Sequence, residues 1–124
     1  MGGSLRWNLR LGILGLLVAC SDHHSPAPEL SLVEGAIRSR IGAAAQPRVG
    51  YIRGAVSLLI DFEAAALPDT TEATFGRTAR AVALAAATHY EGPLDSIIVS
   101  AGNTLGRGVF RVLRQRTFRA TELR

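Results

Sequence analysis

The sequence has 124 residues, a length that corresponds to a single domain. Its 14 basic and 10 acidic residues leave a formal net charge of +4, which is too small to predict nucleic-acid binding from charge alone. The chain contains one cysteine, so an internal disulfide framework is excluded. We predict no nucleic-acid partner, no cofactor and no metal site.

Residues 1–20 have the layout of an export signal. Arg6 and Arg10 precede an uncharged run of 11 residues, and the small residue Ala19 stands directly before Cys20. A membrane-spanning helix needs about 20 apolar residues, so this run is too short to cross a bilayer. A positive segment, a short apolar segment and a small residue in this order predict a secretory signal peptide.

The last four residues of this segment resemble the lipobox of bacterial lipoproteins; they are Leu17, Val18, Ala19 and Cys20. The resemblance implies that a diacylglycerol is attached to the sulfur of Cys20 and that residues 1–19 are removed as the signal peptide. It therefore implies a lipid-anchored, extracytoplasmic protein of the bacterial envelope. The alternatives are an ordinary signal peptide or a buried N-terminal helix, with Cys20 incidental.

Residues 20–28 comprise the lipidated cysteine and a polar, proline-containing tether. The eight residues that follow Cys20 reach at most about 28 Å, so the domain stays close to the membrane. Ser21 follows the cysteine, and in the lipoproteins that this segment resembles, retention in the inner membrane is associated with Asp at that position. The resemblance therefore favours the outer membrane in a bacterium that has one.

The rest of the chain, residues 29–124, is predicted to form one small domain. Apolar residues recur every three or four positions over 29–45, which predicts a helix. Residues 48–53 are interpreted as a connector because they contain glycine. Over 55–63 the period changes to two, which predicts a strand.

A second helix is predicted to begin at Asp69, which caps it together with Glu72, and to end near Tyr90. Two further strands, at 96–101 and 108–118, are predicted to form a hairpin.

The order helix, strand, helix, strand, strand predicts an α+β fold. We expect a two-layer sandwich in which both helices cover one face of a three-stranded mixed sheet. The last strand is the longest, so we expect it in the centre, in the order 1-3-2. Arg114 and Arg116 share the parity of apolar Phe110 and Phe118, and we expect a bulge or bend near Leu113 to resolve that conflict.

The first candidate site is a row of arginines near the C-terminus, Arg111, Arg114, Arg116 and Arg119. Guanidinium groups match phosphate and carboxylate, so one interpretation of this row is an anion-binding face for lipid headgroups or an acidic glycan. The alternative is a solvated strand whose charge is partly neutralised by Asp61 and Glu63 on a neighbouring strand.

The second candidate site is a carboxylate pair. Asp61 and Glu63 lie two apart on a strand and point to the same face, where they and His89 can be considered for acid–base work in a hydrolase or lyase. The alternative is ordinary surface polarity.

We expect a non-enzymatic interaction or binding module with an envelope protein or glycan partner, held at the membrane through Cys20.

Overall fold

A computed structural model describes residues 28–52 and 56–123. The two helices are α1 (Pro28–Ile41) and α2 (Glu72–His89), and the four strands are β1 (Arg48–Ile52), β2 (Ser57–Glu63), β3 (Ser96–Leu105) and β4 (Val109–Arg119). The predicted signal peptide, lipidated cysteine and most of the tether lie outside the described residues. Neither described helix is long and apolar enough to cross a bilayer.

The α+β class is confirmed, but the sheet has four strands and not three. The additional strand is β1, which pairs antiparallel with β2. The interpretation of residues 48–53 as a connector was therefore wrong for Arg48–Ile52. The strand has only five residues, includes Gly50 and buries only Val49. Its apolar and polar residues therefore do not alternate clearly enough to predict a strand.

The strand order is β1-β2-β3-β4, so the predicted order, with the last strand in the centre, was wrong. β2 and β3 run parallel, and β3 and β4 form the predicted antiparallel hairpin. The long strand β4 was expected to need neighbours on both sides. It has only one, β3, which is ten residues long and pairs with nearly all of β4. The second neighbour of β2 is β1, which the sequence pattern had not revealed.

Both helices pack on one face of the sheet, as expected for a two-layer sandwich. The alternate residues Leu58, Ile60 and Phe62 of β2 are buried, and they share one apolar core with residues of both helices. α2 contributes small alanines to this core, which let the helix lie close to the strands. Burial of this shared face is the main favourable term in the stability of the domain.

The N-cap of α2 lies two residues after the predicted cap, Asp69. Thr71 is the N-cap, and its hydroxyl accepts a hydrogen bond of 3.3 Å from the backbone N–H of Thr74. Asp69 bonds instead to the backbone N–H of Thr71, at 3.0 Å, and to its hydroxyl. These bonds lower the pKa of Asp69. The predicted capping box of Asp69 and Glu72 was therefore wrong, because Asp69 holds the cap residue and not the helix.

A β-bulge interrupts the hairpin between β3 and β4. Ala101 is opposite Arg114 and Gly102 is opposite Val112, so Leu113 is an extra residue in β4. The predicted irregularity near Leu113 is confirmed. The bulge reverses the alternation, so that Val112 lies on the face opposite to the helices while Arg114 lies on the helix side.

The bulge depends on a glycine in β3. A Cβ built on Gly102 would lie 2.1 Å from the backbone oxygen of Arg111, whereas a Cβ on Gly50 of β1 meets nothing within 4 Å. The two glycines therefore form a matched pair: both are in strands, and only Gly102 lies against another backbone.

We expect Gly102→Ala to lower the free energy of unfolding by roughly 1–3 kcal/mol, because the backbone must shift to admit the methyl group. Gly50→Ala should leave stability unchanged or raise it slightly, since alanine restricts the unfolded chain. Urea denaturation of both variants measures the difference. Equal stability of the two variants would show that the close approach at Gly102 does not exist in solution.

Candidate functional site

The face of the sheet opposite to the helices is not covered by either described helix. One row of side chains crosses it from β1 to β4, because the register places Arg48 opposite Asp61, Asp61 opposite Ser100 and Ser100 opposite Gln115. This row is polar throughout, although each neighbouring row contains at least one apolar residue. We call this uncovered surface the open face.

The open face carries a hollow of about 470 Å³ next to this polar row. Its lining includes Arg48, Gly50, Leu59, Asp61, Gly108 and Phe110. β4 is at the opposite edge of the sheet from β1, yet the guanidinium carbon of Arg48 lies 5.1 Å from the centre of the Phe110 ring. The end of the hairpin therefore bends across the open face, and this cation–π contact closes one side of the hollow. We call this feature the open-face hollow.

Asp61 is the acidic group of the open-face hollow. It is half-buried, and this burial raises the pKa of its carboxyl group, while the charge of Arg48 opposes the shift. No hydrogen bond to its carboxylate comes from any residue in the described ranges. A desolvated carboxylate beside a guanidinium offers an incoming ligand both an acceptor and a donor.

Ser100 lies beside Asp61 in the polar row and is fully buried. Its hydroxyl accepts a hydrogen bond of 2.9 Å from the side-chain amide of Gln115. The buried hydroxyl is thus satisfied within the sheet, as is usual for buried polar groups. Towards β4, the row therefore contains the hydrogen-bonded pair Ser100 and Gln115. Towards β1 it contains Asp61 and Arg48, which line the hollow.

The structure does not bring Asp61, Glu63 and His89 together. Asp61 and Glu63 share the open face, but the Glu63 carboxylate accepts hydrogen bonds from the backbone N–H of Thr104, at 3.2 Å, and from its hydroxyl. His89 ends α2 in the helical layer, where its Nδ1 lies 3.0 Å from the carbonyl oxygen of Ala85. The acid–base group considered from the sequence is therefore divided between the two layers.

The described residues contain no cluster of three or more histidine, cysteine or acidic side chains placed to hold a metal ion.

The structure also divides the four arginines of the predicted anion-binding row. Arg114 and Arg116 both pair with the carboxylate of Glu72 at the start of α2, each at 2.8 Å. Arg119 is opposite Ser96 and lies on the open face, whereas Arg111 lies beyond the bulge. The four guanidinium groups thus do not form one surface.

The expected neutralisation of this row by Asp61 and Glu63 was wrong, because β2 does not pair with β4. The acidic partner is Glu72, which the sequence pattern had assigned to a helix cap. Arg114 reaches this helix terminus with a second bond, from its Nε to the carbonyl oxygen of Thr70, at 2.9 Å. The two arginines lie at the edge of the core side, which spares them the cost of burial without a partner.

Sequence reasoning missed Arg48 and Phe110, the two residues that close the hollow. Arg48 had been assigned to a connector, and Phe110 had been placed on the core face by its parity. Only the bulge at Leu113 moves Phe110 to the open face, so the parity conflict at Arg114 was the one signal that could have led to it.

Comparisons with protein-family models, with curated proteins and with solved structures find no match to this chain.

We expect Asp61→Asn to raise the melting temperature at pH 7, because asparagine avoids the cost of a desolvated charge. A carboxyl whose pKa is higher in the folded than in the unfolded protein makes stability fall as pH rises through that range. The advantage of Asp61→Asn should therefore shrink as the pH is lowered towards about 4, where aspartate in the unfolded chain takes up its proton. Thermal melts at several pH values measure this.

Glu63→Gln is the matched control, since that carboxylate lies on the same face of β2 and accepts hydrogen bonds from Thr104. A lower melting temperature for Asp61→Asn at pH 7, or a gain that is independent of pH, would contradict the assignment of Asp61 as a desolvated acid.

Proposed function

We propose that this chain is a lipid-anchored bacterial envelope protein whose α+β domain is a non-enzymatic binding module for an envelope protein or glycan. The anchor rests on the resemblance of residues 17–20 to a lipobox. The binding module rests on the open-face hollow, which combines a cation, an acid and an aromatic ring.

Three features of the open-face hollow support a binding role. Arg48 and Asp61 face each other across β1 and β2, so a ligand amide or hydroxyl can bond to both. Gly50 leaves the floor open, since nothing lies within 4 Å of the position of its missing Cβ. Leu59 adds apolar surface beside these polar groups. A few polar groups set in a partly apolar concavity are typical of ligand sites.

The runner-up function, a hydrolase or lyase that uses Asp61 and Glu63, has less support. General acid–base catalysis needs two groups that converge on one reacting atom. Glu63 is occupied by Thr104 and His89 lies in the other layer. The geometry thus favours recognition over acid–base chemistry at this face.

The anchor is tested by mass spectrometry of the protein purified from a bacterial membrane fraction. The expected mature N-terminus is Cys20 with the mass of attached acyl chains, because a diacylglycerol holds a protein stably on a bilayer. The variant Cys20→Ser should lose the acyl mass and the membrane association, whereas Ser21→Ala should keep both. A mature chain that still contains Trp7, or an acylated Cys20→Ser variant, would refute the anchor.

The binding role is tested with two variants that each add one arginine to the surface. Leu59→Arg places it in the open-face hollow, and Ser39→Arg places it on the exposed side of α1. We expect an envelope component that cross-links to the wild-type protein to be retained by Ser39→Arg and lost by Leu59→Arg. Thermal melts of both variants verify that each is folded.

Equal cross-linking by the two folded variants would show that the hollow is not the binding site. Turnover of a small substrate that depends on Asp61 would favour the hydrolase or lyase instead.

A further inference from the structure

The end of the β3–β4 hairpin exposes an unusual amount of apolar surface. We define the hairpin end as residues 105–113. Four of the seven large hydrophobic side chains that are exposed in the described ranges belong to it: Leu105 at 45%, Val109 at 56%, Val112 at 46% and Leu113 at 42% exposure. Single exposed apolar residues are common on soluble proteins, but a cluster of this kind marks an interaction surface.

The bulge distributes these side chains around the hairpin end. Leu105 is opposite Val109, so the two share one face, whereas Val112 is opposite Gly102 on the open face. Leu113 is the unpaired residue of the bulge. The hairpin end is therefore apolar on both faces, a shape that suits insertion into a soft apolar layer better than docking onto a flat protein surface.

The same segment is strongly basic. No acidic residue occurs from Ser96 to Thr121, although this stretch contains five arginines. Arg107 and Arg111 are exposed and form no ion pair with any residue in the described ranges. Their charges are thus free to attract an anionic surface.

Arg107 is also held in a rare backbone conformation. Its φ of 69° is in the left-handed region that glycine favours, at the turn between Gly106 and Gly108. The turn therefore presents the side chain of Arg107 at its apex, although a glycine at this position would adopt the same backbone conformation with less strain.

We propose that the hairpin end rests on an anionic bilayer, with its apolar side chains among the upper acyl carbons and with Arg107 and Arg111 at the headgroup phosphates. Guanidinium groups match phosphate oxygens, and amphipathic aliphatic and basic surfaces bind anionic lipid interfaces. This inference builds on the proposed anchor, because the tether keeps the domain near the bilayer and raises the effective concentration of lipid around the hairpin end.

The tether and the hairpin end lie at opposite ends of the domain. The first turn of α1 follows the tether, and its Glu29 accepts a hydrogen bond from the hydroxyl of Tyr51 in β1. Tyr51 is opposite Leu58, near the end of the sheet where β3 begins. β3 then runs for ten residues, about 33 Å, to the hairpin end. The tether reaches about 28 Å, so the start of α1 can stand clear of the bilayer while the hairpin end rests on it.

A tryptophan placed in the hairpin end reports this contact. We propose Val109→Trp in the full chain, with Trp7→Phe so that it is the only tryptophan, and Leu32→Trp in the same background as the matched control. Leu32 is 66% exposed on α1, outside the hairpin end. The lipidated proteins are reconstituted into vesicles of phosphatidylglycerol and phosphatidylcholine that contain brominated acyl chains.

The expected result is a blue-shifted, quenched emission from Val109→Trp and an unquenched emission from Leu32→Trp. Added salt and vesicles of phosphatidylcholine alone should each remove most of the quenching, because the arginine attraction is screened or absent. Adding Arg107→Glu and Arg111→Glu should abolish it, whereas the charge-matched pair Arg77→Glu and Arg80→Glu on α2 should not.

Equal quenching of the two tryptophans, or none at either position, would overturn the inference. So would emission from Val109→Trp that responds to a soluble acidic polysaccharide and not to vesicles. The mass of the same protein reports acylation independently. An acylated chain with an unquenched hairpin end refutes the membrane contact alone, and a quenched hairpin end on an unacylated chain refutes the anchor alone.

Discussion

The close approach of Gly102 to the backbone of Arg111 is the constraint on which the open-face hollow and the apolar hairpin end depend. It allows Leu113 to be accommodated as an extra residue, and the alternation of β4 reverses at that point. From Arg114 to Arg119 the strand is an ordinary edge of a two-layer sandwich. On the hairpin side of the bulge, Phe110 lies over the open face, where its ring meets Arg48 from the opposite edge of the sheet.

The reversal also explains how a strand so rich in arginine is stable. Arg114 and Arg116 lie on the helix side at the sheet edge, where one carboxylate at the start of α2 serves both. These pairs are exposed, so their contribution to stability is small. Their main consequence is placement, since they leave Arg107 and Arg111 as the arginines of the hairpin segment that project beyond the body of the domain. The arginines of the hairpin thus fall into two groups according to their position relative to the bulge.

Much of the fold could be predicted from the periodicity of the sequence. The two helices, the parallel direction of β2 and β3 and the terminal hairpin all follow from local spacing and from the length of the connections. β1 could not be found in this way because Gly50 and its short length hide the alternation. The strand order was also out of reach, since it depends on β3 continuing through Gly102, which looks like a turn residue in the sequence.

The candidate site was less predictable than the fold. Asp61 could be picked out from the sequence because its spacing of two from Glu63 places both on one face of a strand. Its desolvation could not be predicted, because it depends on burial in the folded domain. Arg48 and Phe110 are far apart in the sequence and on opposite edges of the sheet, and only the bulge brings them together. The conflict at Arg114 pointed to that bulge, but the direction in which the hairpin bends depends on three-dimensional packing.

The most direct test of this account is the environment of the Phe110 ring in solution. Nuclear Overhauser contacts measured on the full chain should connect its ring protons to the side chain of Arg48 and to the Cα protons of Gly102. Contacts from the ring to Phe62 or Ala101 would instead place Phe110 on the core face. That result would contradict the bulge and, with it, both the open-face hollow and the apolar hairpin end.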